Sequence, residues 1–309
     1  MQYFFKIFVA AFLFELLTVD LHANRIDSLK TDDDVVAFLK SINPDFRSDK
    51  YKQIELHNTE QVRKDLDCDG MASQWQIQNW EKADFNGDGR TDLLILLYWY
   101  DYGVYSVIDN GDGTFKFLTL SYNIYEKCEL AKALSLNDQH LLLYYQKVQK
   151  QVQVKNTRGF KSVPEIDTLI YKYGGFVEWN PHPSSYAIDS IEFRTSACFG
   201  SCPVFSIDMD KNGNAVYNAQ VYNSKRGKFT ATLKNENLNE IAGLINYISV
   251  KDLNNNYKVS WTDDQTCWLR IRFSDGSVKE ISDYGLKGTF GLRLLYSMFF
   301  DLRSNQDWK

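Results

Sequence analysis

The sequence predicts an α+β protein, with a β-rich N-terminal domain followed by an antiparallel-sheet domain whose helices pack on one face. Three observations lead there. Between Trp75 and Val154 the apolar residues come in short alternating or continuous blocks rich in Val, Ile and Tyr, which is strand patterning. At Asn180-Pro181-His182-Pro183-Ser184-Ser185 two prolines and two serines break all periodicity. Beyond that break, strands precede two segments whose apolar residues recur at helical spacing.

The chain has 309 residues, so length favours two domains. Aromatic residues make up 15%, with 20 Phe, 19 Tyr and 7 Trp, enough for a large core. The 35 basic residues against 40 acidic ones give a net charge of −5. That argues against broad nucleic-acid binding, which needs a basic surface to displace phosphate counterions.

Residues 1–23 have the layout of a secretory signal peptide. Lys6 supplies the positive charge, Ile7 to Phe14 form the apolar run, Leu16 and Leu17 extend it past Glu15, and Ala23 suits the cleavage position. The run is shorter than the roughly 20 residues a bilayer span needs, and no Cys follows it where a lipid anchor would attach. An exported, periplasmic or extracellular protein with no stable membrane insertion is expected. The β-rich domain then covers 24–182 and the α+β domain 186–309.

The elements follow in order. Asp32 to Asp34 precede Val35, Val36, Phe38 and Leu39, so acidic side chains sit at the positive end of a helix. Leu93 to Tyr100 and Tyr102 to Asp109 read as strands, and Ala131 to Ser135 and His140 to Val154 continue the pattern. Thr168 to Tyr173 and Phe176 to Trp179 form a hairpin through Gly174-Gly175. In the second domain, Ile188 to Thr195, Val204 to Met209 and Asn214 to Tyr222 are strands, and a helix carries Leu238, Ile241, Ile245 and Ile248. Trp268 to Phe273 and Val278 to Ile281 make another hairpin, and a last helix presents Leu292, Leu295, Tyr296, Phe299 and Leu302.

The sharpest chemical pattern is Asp84-Phe85-Asn86-Gly87-Asp88-Gly89-Arg90-Thr91-Asp92. Side-chain oxygens recur at alternate positions, and calcium takes six to eight oxygen ligands. An EF-hand is rejected, because its last ligand position falls on Ile95 and an apolar strand follows. The segment resembles the calcium loops of FG-GAP and VCBS-type repeats, with Asp109-Asn110-Gly111-Asp112-Gly113 as the hairpin that follows. That resemblance covers residues 80–120 and implies Asp84, Asn86, Asp88, Arg90 and Asp92 as ligands of a structural calcium. The alternative is a metal-free turn in which Asn and Asp cap their own backbone.

The five cysteines are Cys68, Cys128, Cys198, Cys202 and Cys267. After export, thiols close enough to pair do so, and an odd count leaves one over. Cys198 with Cys202 is the most economical pair, and Cys68 with Cys128 a second candidate. The segment Cys198-Phe199-Gly200-Ser201-Cys202-Pro203 resembles a bacterial domain-of-unknown-function family, number 6438, whose hallmark is CFGxCP. The resemblance covers about residues 186–305 and includes Gly213, Tyr217 and Thr262-Asp263. It implies no catalytic residue. Three readings of the loop compete: a structural bridge, a redox pair, or half of a zinc site.

No GxSxG, HExxH, P-loop or GxGxxG motif occurs, and none of His22, His57, His140 and His182 stands beside a recognisable nucleophile. Glu165, Asp167, Asp189 and Glu192 read as strand surface residues. Tyr98, Trp99, Tyr100, Tyr102 and Tyr105 are core aromatics or else a platform for a sugar or peptide. The leading expectation is therefore a non-enzymatic envelope protein that binds a protein or glycan partner. The alternative is a thiol-redox or hydrolytic enzyme assembled from distant residues.

Overall fold

The computed structural model describes residues 24–47, 53–121, 128–136, 139–154 and 157–309. The export signal expected at 1–23 lies outside the described residues. No helix among them is long and apolar enough to cross a membrane.

Helix α1 (Asp32–Ile42) begins where its acidic turn predicts. The Thr31 hydroxyl accepts from the Asp34 N–H while the Asp34 carboxylate accepts from the Thr31 N–H, so two otherwise orphaned donors are satisfied. Two short helices, α2 (Thr59–Asp65) and α3 (Met71–Gln74), complete the lead-in. A disulfide joins Cys68, in the turn between them, to Cys128.

The first sheet is an antiparallel meander of β1 (Trp80–Ala83), β2 (Asp92–Trp99), β3 (Asp101–Asp109) and β4 (Phe115–Thr119). Strand β2 is apolar at every position from Leu93 to Leu97 because it is covered on both sides. Leu93, Ile95 and Leu97 pack with Val35, Phe38 and Leu39 of α1. Leu94 and Leu96 face the second sheet.

The second sheet runs β5 (Glu129–Leu136), β6 (Gln139–Val154), β7 (Thr157–Lys172) and β8 (Gly175–Glu178), again in chain order. Tyr173 and Gly174 both take positive φ and close the β7–β8 hairpin. Leu142, Tyr144 and Leu169 pack toward the first sheet, whereas Leu141, Ile170 and Val177 pack toward the C-terminal core.

The third sheet has seven strands: β9 (Ile188–Thr195), β10 (Phe205–Asp210), β11 (Asn214–Ala219), β12 (Gly227–Thr232), β13 (Asn256–Lys258), β14 (Thr266–Phe273) and β15 (Val278–Tyr284). Their spatial order is β12-β11-β10-β9-β14-β15-β13, antiparallel except for β13 beside β15. Helices α4 (Asn235–Tyr247) and α5 (Phe290–Asn305) pack on one face. All five residues predicted for the last helix face are buried. Phe193, at the middle of the sheet, stacks on Phe299 with ring centroids 4.7 Å apart. Among the described residues no helix packs on the other face of this sheet.

Candidate functional site

The chain leaves β9 at Thr195 and returns as β10 at Phe205, and the cysteine loop lies between. Thr195 pins both ends: its Oγ1 donates to the Pro203 carbonyl at 2.8 Å and accepts from the Phe205 N–H at 3.0 Å. Buried Gln265 donates from one amide nitrogen to the carbonyls of Ser196 and Pro203, both at 2.8 Å. Cys198 and Cys202 are bridged, and the Phe199 N–H donates to the Asp263 carbonyl. These restraints hold the Phe199 ring 89% exposed at the tip. A large apolar side chain displayed on a braced loop resembles the anchors of recognition surfaces.

Both expected disulfides are present, Cys68–Cys128 and Cys198–Cys202. Cys267 is the free cysteine and is fully buried. Burial first, and then the charge of Asp283 opposite it, push its thiol far above the usual range, so it is a poor nucleophile. The Cys198 loop runs directly into strand β10. The helix N-terminus that depresses a reactive thiol is therefore missing beside it. Among the described residues no group of three or more His, Cys, Asp or Glu side chains is placed to hold a metal.

The open face of the third sheet follows from strand alternation. On β14, Cys267, Leu269, Ile271 and Phe273 point into the core, so Trp268, Arg270 and Arg272 point out. Register then builds rows across the sheet. Asn218 pairs with Ser206, Ser206 with Arg194, Arg194 with Trp268, and Trp268 with Ser282. One step along, Glu192 pairs with Arg270 and Arg270 with Glu280. The charged side chains neutralise one another. Glu192 meets Arg194 at 3.1 Å and Arg270 at 3.2 Å, and Arg270 meets Glu280 at 3.0 Å. These residues border a concavity of about 1080 Å³. Trp268 is 42% exposed within it.

The Asp84 loop is brought together as expected, but it closes on its own backbone. The Asp84 carboxylate accepts from the N–H groups of Gly87, Asp88 and Gly89. Asp92 is fully buried, and its two oxygens accept from Phe85 and Asp109 at 2.8 and 2.9 Å. Burial above all, with the nearby charge of Asp88 adding to it, pushes the Asp92 carboxyl up to about 7. The Arg90 guanidinium pairs with Asp88, reaches toward Asp109 at 3.8 Å, and lies against Gly111, where a Cβ would be 2.4 Å from its central carbon. So the two acidic turns of the FG-GAP-like segment pack on each other. As placed, the Arg90 guanidinium pairs with Asp88 and backbone N–H groups hold Asp84 and Asp92, so a calcium ion held by Asp84, Asn86, Asp88, Arg90 and Asp92 has to displace these partners.

The aromatic cluster divides. Tyr105 is buried in the core, and Tyr100 is exposed in the β2–β3 turn. Tyr98 and Tyr102 surround His57. Tyr102 donates to Asp65 at 2.7 Å and meets His57 Nδ1 at 2.5 Å, while His57 Nε2 meets Glu55. Asp167, read from sequence as a surface residue, lies half-buried. Its burial, followed by the charges of Glu178 and Glu165, lifts its carboxyl to about 6. Trp268, Arg270, Glu280, Ser206 and Asn218 carry no motif. Their signal was the polar half of the alternation on strands already legible.

The CFGxCP loop joins two strands of the seven-stranded sheet, and the sheet and its two helices share one core with Leu141, Ile170 and Val177 of the second sheet. Residues 189–303 match a family model. That family is a domain of unknown function, DUF6438. The DUF6438 match spans β9 through almost all of α5, and so includes the braced loop and the open face. No curated protein and no solved structure matches the chain.

Proposed function

We propose that this chain is an exported, non-enzymatic binding protein of the cell envelope and that the open face of the DUF6438 sheet is its recognition surface. One observation carries this reading: a sheet face whose helix-free side forms a large polar concavity around a half-exposed Trp268. The two disulfides support an oxidising compartment, since such bonds are rare in the cytosol. The braced Phe199 supports recognition, because rigid aromatic groups give contact area at low entropic cost. Against thiol chemistry stand the absence of a helix start at the Cys198 loop and the burial of Cys267.

The test is cosedimentation with isolated cell envelopes. The wild-type chain is expected in the pellet, and Trp268→Ala in the supernatant. Tyr100→Ala, which removes an exposed aromatic far from the DUF6438 sheet in sequence, is expected to pellet like wild type. Equal pelleting of Trp268→Ala and wild type overturns the assignment of this face.

A further inference from the structure

We propose that the ligand of the open face is a neutral polysaccharide, held with a sugar ring against Trp268. This rests on the reading of that face as a recognition surface.

The argument starts from what a sheet face offers. Its backbone N–H and C=O groups lie in the plane of the sheet and are spent on the ladder. A peptide added as a strand needs a free edge, and although this concavity reaches the edge strand β13 at Asn256, most of it lies over the interior strands β11, β10, β9, β14 and β15. The ligand must therefore be gripped by side chains alone.

Those side chains are of three kinds. Ser206, Asn218, Gln220, Asn256 and Ser282 are neutral hydroxyls and amides, each able to donate and to accept. Glu192, Arg194, Arg270 and Glu280 are two acids and two bases, already paired with one another. The net charge of these four is zero, and Asp208, Lys228 and Arg272 on the same outward side add both signs, so the residues around Trp268 favour neither a polyanion nor a polycation. The planar carboxylate and guanidinium groups of the four still present oxygen and N–H edges. Trp268 is the third kind, a flat apolar surface with one polar tip.

A ligand complementary to all three has many hydroxyls of mixed donor and acceptor character, no net charge, and a flat apolar patch. A pyranose ring has these properties. Its vicinal hydroxyls match the amides and the paired ions, and its axial C–H face matches the indole. The concavity, at about 1080 Å³, is at the top of the range for sites that hold a single small molecule, and so suits several linked rings.

The test is isothermal titration of the full exported chain with cellohexaose, chitohexaose and maltoheptaose, and with polygalacturonate as an anionic comparison. At least one neutral oligomer is expected to bind with a submillimolar Kd. Trp268→Ala is expected to weaken that binding at least about tenfold, and Tyr100→Ala to leave it unchanged. Asn218→Ala serves as a second variant, because it removes a polar contact without touching the indole or the ion pairs, and a loss of several-fold is expected. Circular dichroism of each variant checks folding. Binding that survives Trp268→Ala overturns the proposal, as does a chain that takes polygalacturonate and no neutral oligomer. No binding by any neutral oligomer up to about 10 mM, some 2.7 kcal/mol of standard free energy, also overturns it. If envelopes then still pellet the wild type and not Trp268→Ala, the sugar assignment alone falls. If they do not, the recognition face falls with it.

Discussion

The Glu178 carboxylate, at the end of β8, accepts hydrogen bonds from the backbone N–H groups of Phe290 and Gly291, at 2.5 and 3.0 Å. Those residues open α5, so an acid from the second sheet caps a helix that packs on the third sheet, 112 residues further on. It supplies both the acceptors that helix N-termini lack and a negative charge at the positive end of the dipole. Phe290 completes the junction by packing edge-on against Tyr144 with centroids 5.0 Å apart.

Glu178→Ala is therefore expected to destabilise the chain by about 1–2 kcal/mol, the range for losing a helix cap. Glu178→Gln keeps one oxygen and is expected to fall between the two. Urea midpoints at constant slope measure this. A midpoint unmoved by Glu178→Ala contradicts the capping role.

The two disulfides should differ in worth. In the chain-entropy description the stabilisation grows with the loop closed, and the separations are 60 residues for Cys68–Cys128 and 4 for Cys198–Cys202. That gives about 4 kcal/mol for the first and about 2 kcal/mol for the second. The double variant Cys68→Ser/Cys128→Ser is thus expected to melt well below Cys198→Ser/Cys202→Ser. The second pair instead braces Phe199, so its loss should weaken envelope binding more than it lowers Tm. The reverse order of melting temperatures contradicts this division.

Asp167 sets a pH dependence. Its folded carboxyl is raised from 3.8 to about 6, so the folded state holds this proton more tightly than the unfolded one. Its contribution is fully present below about pH 4 and is lost as pH rises through about 6. A shift of that size in a dry site corresponds to about 3 kcal/mol, and solvent around this half-buried group reduces it to about 1 kcal/mol. Asp167→Asn is expected to flatten the stability profile between pH 4 and 6, as read by chemical denaturation at each pH. An unchanged slope contradicts the assignment.

The Asp84 loop, closed by its own hydrogen bonds, should not need a divalent ion. Chelator-treated and calcium-supplemented protein are expected to melt together and to show no calcium heat by calorimetry. A calcium-dependent rise in Tm that Asp88→Ala abolishes would show instead that Arg90 yields its place to the ion.

The core was legible because its signal is periodic. Leu93 to Leu97, Val35 with Phe38, and the five buried positions of α5 all announce their faces by spacing. Strands β12 and β13 were not legible. Gly227–Thr232 lies at the sheet edge with no buried residue, and Asn256–Lys258 is three residues long, so neither has a periodic apolar face. The C-terminal Lys309 exchanges two backbone hydrogen bonds with Thr230 of β12, a partnership no local pattern encodes. The cysteine loop was legible as a motif, and its pairing followed from proximity. The open face was half legible: alternation marks Trp268 and Arg270 as outward, but only register across β9, β14 and β15 makes them neighbours of Arg194 and Glu280.

The most direct test of the central claim is hydroxyl-radical footprinting of the intact chain, free and on envelopes, read at single residues. Trp268 and Phe199 are expected to oxidise readily in the free chain and to be protected when bound, while Tyr100 reacts equally in both. Protection confined to Tyr100 and its neighbours, with Trp268 as reactive bound as free, would contradict the account.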